Sequence, residues 1–377
     1  MEEDGPISNT KLKRILLILN SIILAIGTAA SPLVMRLYFI HGGKRLWLLS
    51  WLQTGGWPVI IIPLAISYIQ RCQRGPAAIS ADGGSGRGYP AAPRSVLMKP
   101  FLFTASAIIG ILSGVDNYFY AYGVSLLPVS TSSLIIASQL AFTATFAFLL
   151  VKQKFTAYST NSVFLLTPGA VVLALHTGSD RPEGESDRQY MLGFIMTAAA
   201  AVLYGFILPL VELSYKKGKQ VMTYSLVLEY QLVLCFFATA ACTIGMLINK
   251  DFQAIPREAK EYGLGEFKYY MVLVWNAIMG QFFFLGAVGV IFCASSLFSG
   301  ILISLMLPLT EVLAVIFFKE KFQAEKGVSL ALSLWGFVSY FYGEFKHTKK
   351  RDRNPHQSQN QIQHPPSEVE LNGHSIP

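Results

Sequence analysis

Charged residues are scarce in this 377-residue chain, since Asp, Glu, Lys and Arg make up 14% of it. A typical soluble domain carries about 25% of these residues. Hydrophobic residues make up 53% of the chain, and its mean hydropathy is +0.46. This composition excludes an ordinary soluble protein and predicts an all-α integral membrane protein.

The sequence also lacks the motifs of enzymes and of metal sites. It contains no H-E-x-x-H, no G-x-S-x-G and no P-loop, and its Asp, Glu and His residues show no metal-ligand spacing. The 4 cysteines form no C-x-x-C or disulfide spacing. We therefore expect no enzymatic activity, no cofactor and no bound metal.

Nucleic acid is also excluded as a partner, although the formal net charge is +8. The excess of basic residues falls in the predicted cytoplasmic loops and tail, where membrane topology accounts for it. No cleavable A-x-A site follows the first apolar stretch, so this stretch is expected to be a retained helix and not a signal peptide.

Ten stretches are long and apolar enough to cross a bilayer, which takes about 20 residues in a helix. The fifth and the tenth are short and are interrupted by polar residues or glycine. The ten predicted spans are 12–39, 46–69, 101–123, 130–151, 158–176, 190–215, 223–248, 268–291, 295–318 and 327–345.

The fourth predicted span is repeated in the ninth. LIIASQLAFTATFAFLLVKQKFTAYS (134–159) aligns without gaps on ILISLMLPLTEVLAVIFFKEKFQAEK (301–326), with identity at eight of 26 positions. Four identities form one helical stripe, and the other four belong to a polar K-x-K-F exit and its surroundings. Chance likeness between two apolar helices is the alternative, but the polar exit is in register with the stripe.

Ten spans divide into two halves of five, and an odd number per half makes the two copies cross the membrane in opposite directions. We therefore expect two inverted five-helix repeats, 1–176 and 177–345, as in many secondary transporters. The Gly- and Ala-rich segment 71–99 is expected to be a flexible cytoplasmic loop, and 346–377 a disordered cytoplasmic tail.

The distribution of basic residues favours both termini on the cytoplasmic side. With that orientation, 18 Lys and Arg residues fall in inside segments and 11 in outside loops. Apart from Lys13, Arg14 and Lys268 at the starts of their spans, Arg36 is the one basic residue within a predicted span, near its outer end. A carrier of phosphorylated solutes is expected to place Lys or Arg at its central site, so a neutral or weakly cationic solute is favoured.

The third predicted span contains a carboxylate, an amide and a tyrosine that are candidates for function, because polar groups inside a membrane are costly. Asp116 and Tyr120 lie one turn apart on one face. Asp116 is a candidate proton carrier, with hydrogen bonding to a neighbouring helix as the structural alternative. Asn117 and Tyr120 are candidates for contact with a planar heterocycle.

Other spans contribute further polar candidates. Gln139 and Glu229 are expected to contact the substrate, and Glu229 is also a candidate proton carrier; Asn276 adds an amide to the eighth span. Glu311 follows Pro308 in the ninth span and is the second main candidate for proton coupling, on the helix that mirrors that of Gln139. The amide of Gln139 in the fourth span and the carboxylate of Glu311 in the ninth thus suggest that one helix recognises the substrate and its counterpart carries the proton.

Aromatic residues are abundant, and most are expected to pack in the protein or at the membrane interface. Trp57 stands beside Gly55, Gly56 and Pro58 and is the tryptophan best placed to present a flat face to a planar ligand. Packing against neighbouring helices is the alternative for this side chain.

Several of these segments resemble the plant purine permeases of the drug/metabolite transporter superfamily. The resemblance is carried by SPLVMRLYFIHGGKRLWLLSWLQTGGWP, LLPVSTSSLIIASQLAFTATFAFLLVKQKFT, NSVFLLTPGA, LYGFILPLVELSY, SSLFSGILISLMLPLTEVLAVIFF and EKGVSLALSLWGFVSYFYGE. It extends over nearly all of 12–345. It implies ten helices in two inverted repeats and proton-coupled import of purine bases, cytokinins and, in some branches, alkaloids or pyridoxine.

Taken together, these features predict a proton symporter for adenine-like bases and cytokinins, working by alternating access and placed in the plasma membrane. Its partners would be the small-molecule substrate, protons and the lipid bilayer. Uptake of alkaloids or pyridoxine is the nearest alternative. A nucleotide-sugar exchanger, a receptor that binds without transport, and an intramembrane enzyme are less well supported by the residues.

Overall fold

The computed structural model describes residues 6–73, 98–153, 187–220 and 222–319, with short pieces between 160 and 165 and between 327 and 343. Within these residues the secondary structure is helical throughout, and eight segments are long and apolar enough to cross a membrane. In chain order the helices are α1 (Pro6–Ile40), α2 (Leu46–Gly55), α3 (Pro58–Gln73), α4 (Pro100–Leu126), α5 (Val129–Ala137), α6 (Gln139–Val151), α7 (Asp187–Lys217), α8 (Tyr224–Ile248), α9 (Asp251–Glu261), α10 (Glu266–Cys293) and α11 (Ser296–Phe318).

Eight of the ten predicted spans correspond to these helices. The predicted spans 158–176 and 327–345 lie largely outside the described residues, as do most of the predicted loop 71–99 and all of the tail 346–377. Helix α3 runs to Gln73 and so includes the first residues of the predicted loop. The structure thus shows a helical membrane protein with eight candidate spans among its described residues.

Two of the spans are interrupted near their middle. The span 46–69 changes from α2 to α3 at Gly56 and Trp57, where Pro58 has no N–H to continue the helix. The span 131–151 changes from α5 to α6 at Ser138, whose hydroxyl donates to the carbonyl of Ile135 at 2.6 Å. Interrupted helices are typical of the central binding sites of secondary transporters.

Helices α1 and α10 pack at very short range. A Cβ at Gly27 would lie 2.4 Å from the backbone nitrogen of Phe283, so no larger residue fits there. Small residues allow such close helix contact in membrane proteins. This contact fixes α1 beside α10 and helps to define one wall of the interior.

The short helix α9 was not predicted from the sequence, because it is too polar and too short to be a span. It carries two buried carboxylates, Asp251 and Glu258, which face the connection between α1 and α2. Glu258 accepts hydrogen bonds from the hydroxyls of Tyr38 and Tyr269 and lies 3.4 Å from Nε of Arg45. We call this group the α9 network.

Asp251 is the second acidic member of the α9 network. Its Oδ1 accepts a hydrogen bond from the amide of Asn249 at 2.8 Å and lies 3.6 Å from Nη1 of Arg45. Burial raises the pKa of Asp251 above its ordinary value, and these two neighbours oppose the rise. The network therefore ties the N-terminal helices to α9 and α10 by partly desolvated charges.

Candidate functional site

A cavity lies in the middle of the helical bundle, and the space between its lining atoms is about 560 Å³, part of which is open to solvent. Its wall is formed by α1, α2, α4, α5, α6, α7, α10 and α11. The residues that line it are Gly27, Thr28, Ser31, Pro32, Gln53, Asp116, Asn117, Tyr120, Ile136, Gln139, Ala200, Tyr204, Phe283, Ile303 and Leu307.

Helix α4 contributes three adjacent polar groups to the wall. Asp116, Asn117 and Tyr120 all line the cavity. Asp116 and Asn117 are consecutive residues, and Tyr120 lies one helical turn after Asp116, so the three side chains are on one face of α4. The side chain of Asp116 is 6% exposed, and its Oδ1 has no hydrogen-bond partner in the part of the chain that the structure describes. A buried carboxylate oxygen of this kind is available to a proton or to a donor on a ligand.

Three carboxamides also face the cavity, from three different helices. They are Gln53 on α2, Asn117 on α4 and Gln139 on α6, and each is at least 94% buried. A carboxamide presents one acceptor and two donors side by side, and it can pair with an adjacent donor and acceptor on a heterocycle edge. The wall can therefore read a neutral polar ring without a charged contact.

Aromatic side chains also form part of the cavity wall. The rings of Tyr204 and Phe283 lie with their centroids 5.4 Å apart and their planes tilted by 35°. Tyr120 adds a third ring to the wall. Every nucleobase can stack on an aromatic face, and this stacking is worth about 1–3 kcal/mol per base.

Two helix irregularities add unusual polar groups beside the cavity. Gln139 is the first residue of α6, directly after the interruption at Ser138. Pro32, inside α1, cannot donate to the carbonyl of Thr28 four residues earlier, and both residues line the cavity. The wall thus combines side-chain groups with backbone that is not engaged in a continuous helix.

No Lys or Arg is among the described residues that line the cavity. Arg36 of α1 instead directs Nη1 to the carbonyls of Leu127 and Val124, at 3.4 and 3.5 Å. The described part of the cavity wall therefore offers no ammonium or guanidinium partner for a phosphate group.

The structure places four of the eight predicted site residues on the cavity wall, namely Asp116, Asn117, Tyr120 and Gln139. The other four lie elsewhere. Trp57 packs edge-on against Phe236, with centroids 5.5 Å apart. Glu229 accepts a hydrogen bond from the backbone N–H of Met98 at 3.0 Å, near the start of α4.

Asn276 and Glu311 are buried next to the cavity but do not form its wall. The amide of Asn276 donates to the carbonyl of Leu49 in α2, at 3.4 Å. Glu311 is 2% exposed and lies one helical turn beyond the wall residue Leu307 on α11. These two residues thus border the site through α2 and α11.

The sequence did not single out Gln53, Tyr204 or Phe283, although all three line the cavity. Gln53 carries a recognisable signal, because it is an amide within an apolar span. Tyr204 and Phe283 carry none, since most aromatic residues of a membrane protein serve packing and their orientation depends on the rotation of their helices.

Comparison with known proteins decides what kind of molecule has this cavity. A family profile described as "Purine nucleobase transmembrane transport" matches residues 15–350, nearly the whole chain. The chain belongs to the purine permease family. Members of this family are transporters, and this purine permease is accordingly a membrane transport protein and not an enzyme.

Individual relatives support the same assignment. Purine permease 3 of Arabidopsis thaliana is 58% identical over 338 residues, which cover 90% of this chain and 93% of the relative. Purine permease 2 of the same plant is 53% identical over 351 residues, covering 90% and 95%. Probable purine permease 5 of Arabidopsis thaliana is 37% identical, covering 87% and 86%.

A solved crystal structure shares the fold of this purine permease at a sequence identity of only 16%. The two superpose with a TM-score of 0.52 over 85% of this chain and 98% of the other. At that identity the likeness concerns the fold alone. The helical arrangement around the cavity is therefore one that has been seen in another protein.

Proposed function

We propose that this purine permease is a proton-coupled importer of purine bases and related heterocycles, such as adenine and cytokinins, that works by alternating access. The observation that carries the proposal is the central cavity. In a member of a purine transport family, the described residues of its wall include three carboxamides, three aromatic rings and one buried carboxylate, and none of these described residues is basic.

Recognition is assigned to Asn117 and Gln139. Their carboxamides match the alternating donors and acceptors of a purine edge, as Asn and Gln match adenine in other complexes. Tyr120, with Tyr204 and Phe283, would provide the apolar faces on which the flat ring stacks.

Proton coupling is assigned to Asp116, with Glu311 as the second candidate. Asp116 is favoured because it is itself a wall residue, and its Oδ1 has no hydrogen-bond partner among the described residues. Protonation of this carboxyl turns an acceptor into a donor at the substrate, so that binding of the base and of the proton would be linked.

Alternating access is proposed to use two inverted repeats of five helices each, 1–176 and 177–345. Support comes from α5 and α6 on the one hand and α11 on the other, which the internal repeat equates at an offset of 167. The equivalent residues Ile136 of α5 and Ile303 of α11 both line the cavity. The equivalent lysines Lys152 and Lys319 both follow the helix end with a left-handed backbone, φ 50° and φ 55°.

Both termini are proposed to be cytoplasmic, and the plasma membrane is the proposed location. The loop 71–99 and the tail 346–377 would then lie in the cytosol. The distribution of Lys and Arg supports this orientation. Accessibility of cysteines introduced singly at Lys44 and Lys219 to an impermeant reagent on intact cells would test it, since only Lys44 should be labelled.

The test of the proposed function is uptake of radiolabelled adenine by yeast that lack their own purine carrier and express the chain. Uptake should rise as the external pH falls, and a protonophore should abolish it. Vector-bearing cells are the control. Adenine uptake that ignores both treatments contradicts proton coupling, and absence of uptake contradicts purine transport.

Uptake of alkaloids or pyridoxine is the alternative substrate assignment. Competition of purines and pyridines against labelled adenine separates the two, because an alkaloid or vitamin carrier should prefer the pyridine series. A nucleotide-sugar exchanger is disfavoured because the wall residues that the structure describes include no basic side chain for a phosphate.

A further inference from the structure

Helix α2 is held from its middle to its last turn by amide side chains of α10 and α4. The amide of Gln281 on α10 donates to the carbonyl of Thr54 at 2.9 Å. Asn276, also on α10, and Asn117 on α4 donate to the carbonyls of Leu49 and Ser50 at 3.4 and 3.5 Å. Three donors therefore fix the position of a half-helix that ends inside the membrane.

Backbone contact reinforces these hydrogen bonds. A Cβ at Gly280 on α10 would lie 2.3 Å from the carbonyl oxygen of Gln53 and 2.6 Å from its Cα. The backbone of α2 thus rests directly on α10 at the residue that carries a carboxamide into the cavity. The position of Gln53 is fixed because its neighbours in α2 are held by these hydrogen bonds and by the backbone contact with α10.

The side chain of Gln53 is buried but weakly bonded. It is 6% exposed, and its Nε2 donates to the sulfur of Met35 at 3.4 Å. A thioether is a weak acceptor, so this contact satisfies the amide much less than an oxygen would. A ligand that offers a good acceptor and a good donor would replace it with a net gain.

We propose that Gln53 is a specificity-determining residue of the transport site, held in place by Gln281 and Asn276 as positioning residues. This inference rests on the proposed purine transport. The carboxamide oxygen of Gln53 accepts from an exocyclic amino group of the substrate, and its NH₂ group donates to the adjacent imidazole nitrogen, N7. Substrates with an oxygen in place of the amino group present two acceptors on this N7 edge and bind less well.

The experiment compares inhibition of labelled adenine uptake by adenine and by hypoxanthine, which has an oxo group in place of the amino group. The wild type should discriminate between the two bases. A bidentate carboxamide contact is worth about 1–3 kcal/mol of discrimination, a factor of roughly 5–150. Gln53→Leu keeps the approximate size of the side chain but removes both polar atoms, so the ratio of inhibition constants should fall by that factor.

Gln53→Glu is the second variant, because a carboxylate still accepts from an amino group but cannot donate to a ring nitrogen. It should bind both bases more weakly but should still favour adenine, because the 6-oxo base offers no donor to a carboxylate on this edge. The matched control is Gln231→Leu, the same substitution at a fully buried glutamine of α8 that does not line the cavity. This control should keep the wild-type ratio, with the amount of each protein in the membrane measured by a tag.

The outcomes separate the inference from the proposed function. If Gln53→Leu transports adenine and keeps the wild-type ratio, or if Gln231→Leu lowers the ratio equally, the assignment of Gln53 is wrong while purine transport stands. If Gln53→Leu loses all uptake, binding of labelled bases to the purified variant gives the ratio instead. If the wild type itself takes up no purine, the proposed function fails first.

Discussion

The contact between α2 and α10 gives the sharpest structural prediction. In Gly280→Ala the new Cβ would lie 2.3 Å from the carbonyl oxygen of Gln53, whereas ordinary contact begins at 3.4 Å. The two backbones must therefore separate by about 1 Å, because neither atom belongs to a flexible side chain. Overpacking of this kind costs about 1–3 kcal/mol.

Gly300→Ala is the matched control for this substitution. Its Cβ would meet the side chain of Thr143 at 3.2 Å and that of Leu140 at 3.4 Å, which is tight but adjustable contact. Both glycines lie inside helices, so both variants gain about 0.5–1 kcal/mol of helix propensity. The difference between the variants therefore isolates the steric cost.

The assay is thermal unfolding of the purified proteins in detergent, with adenine uptake measured in parallel. A steric cost of about 1–3 kcal/mol should place the Tm of Gly280→Ala roughly 2–10 °C below that of Gly300→Ala. The ratio of inhibition constants for adenine and hypoxanthine should also fall, because the displaced residue is Gln53. Equal Tm values and an unchanged ratio would refute the reasoning.

Three further predictions concern buried carboxylates. Glu258→Ala should lower the free energy of unfolding by about 3 kcal/mol, because the hydroxyls of Tyr38 and Tyr269 lose their acceptor. Thermal unfolding measures this loss, and an unchanged Tm would contradict it. The raised pKa of Asp251 contributes stability that is present below the ordinary pKa of Asp and is lost as pH rises through the raised value. Asp251→Asn should therefore flatten the decline of Tm with rising pH in this acidic range, and a variant with the wild-type slope would contradict it. Glu212→Ala should cost about 1–2 kcal/mol, because the first residue of α11 donates both its N–H and its hydroxyl to Glu212; Glu212→Gln should recover part of the loss in the same assay.

The spans were predictable because the bilayer sets one length for all of them. The predicted limits 12–39 and 223–248 differ by one residue or less from the described spans Leu12–Ile40 and Tyr224–Ile248. The helix interruptions were harder to foresee. Gly55, Gly56 and Pro58 mark the first of them, but Ser138 stands in a sequence with no Gly or Pro beside it.

Placement of polar residues was predictable only in part, since a span shows which residues are polar but not which way they face. Asp116 and Asn117 follow one another on α4, and both reach the cavity. Asn276 has the same residue type and, like Asn117, donates to the backbone of α2, but it does not line the cavity. Glu229 accepts a hydrogen bond from the backbone of Met98, just before α4. The two residues are 131 positions apart, so no local sequence pattern reveals this contact.

The most direct test of the account concerns Asp116 in proteoliposomes with an imposed proton gradient, alkaline inside. The wild type should accumulate labelled adenine above its external concentration and should acidify the interior as it does so. Asp116→Asn should still exchange labelled for unlabelled adenine but should not accumulate it in response to the gradient. Gradient-driven accumulation that persists in Asp116→Asn would contradict the central claim that this carboxyl couples the proton to the purine.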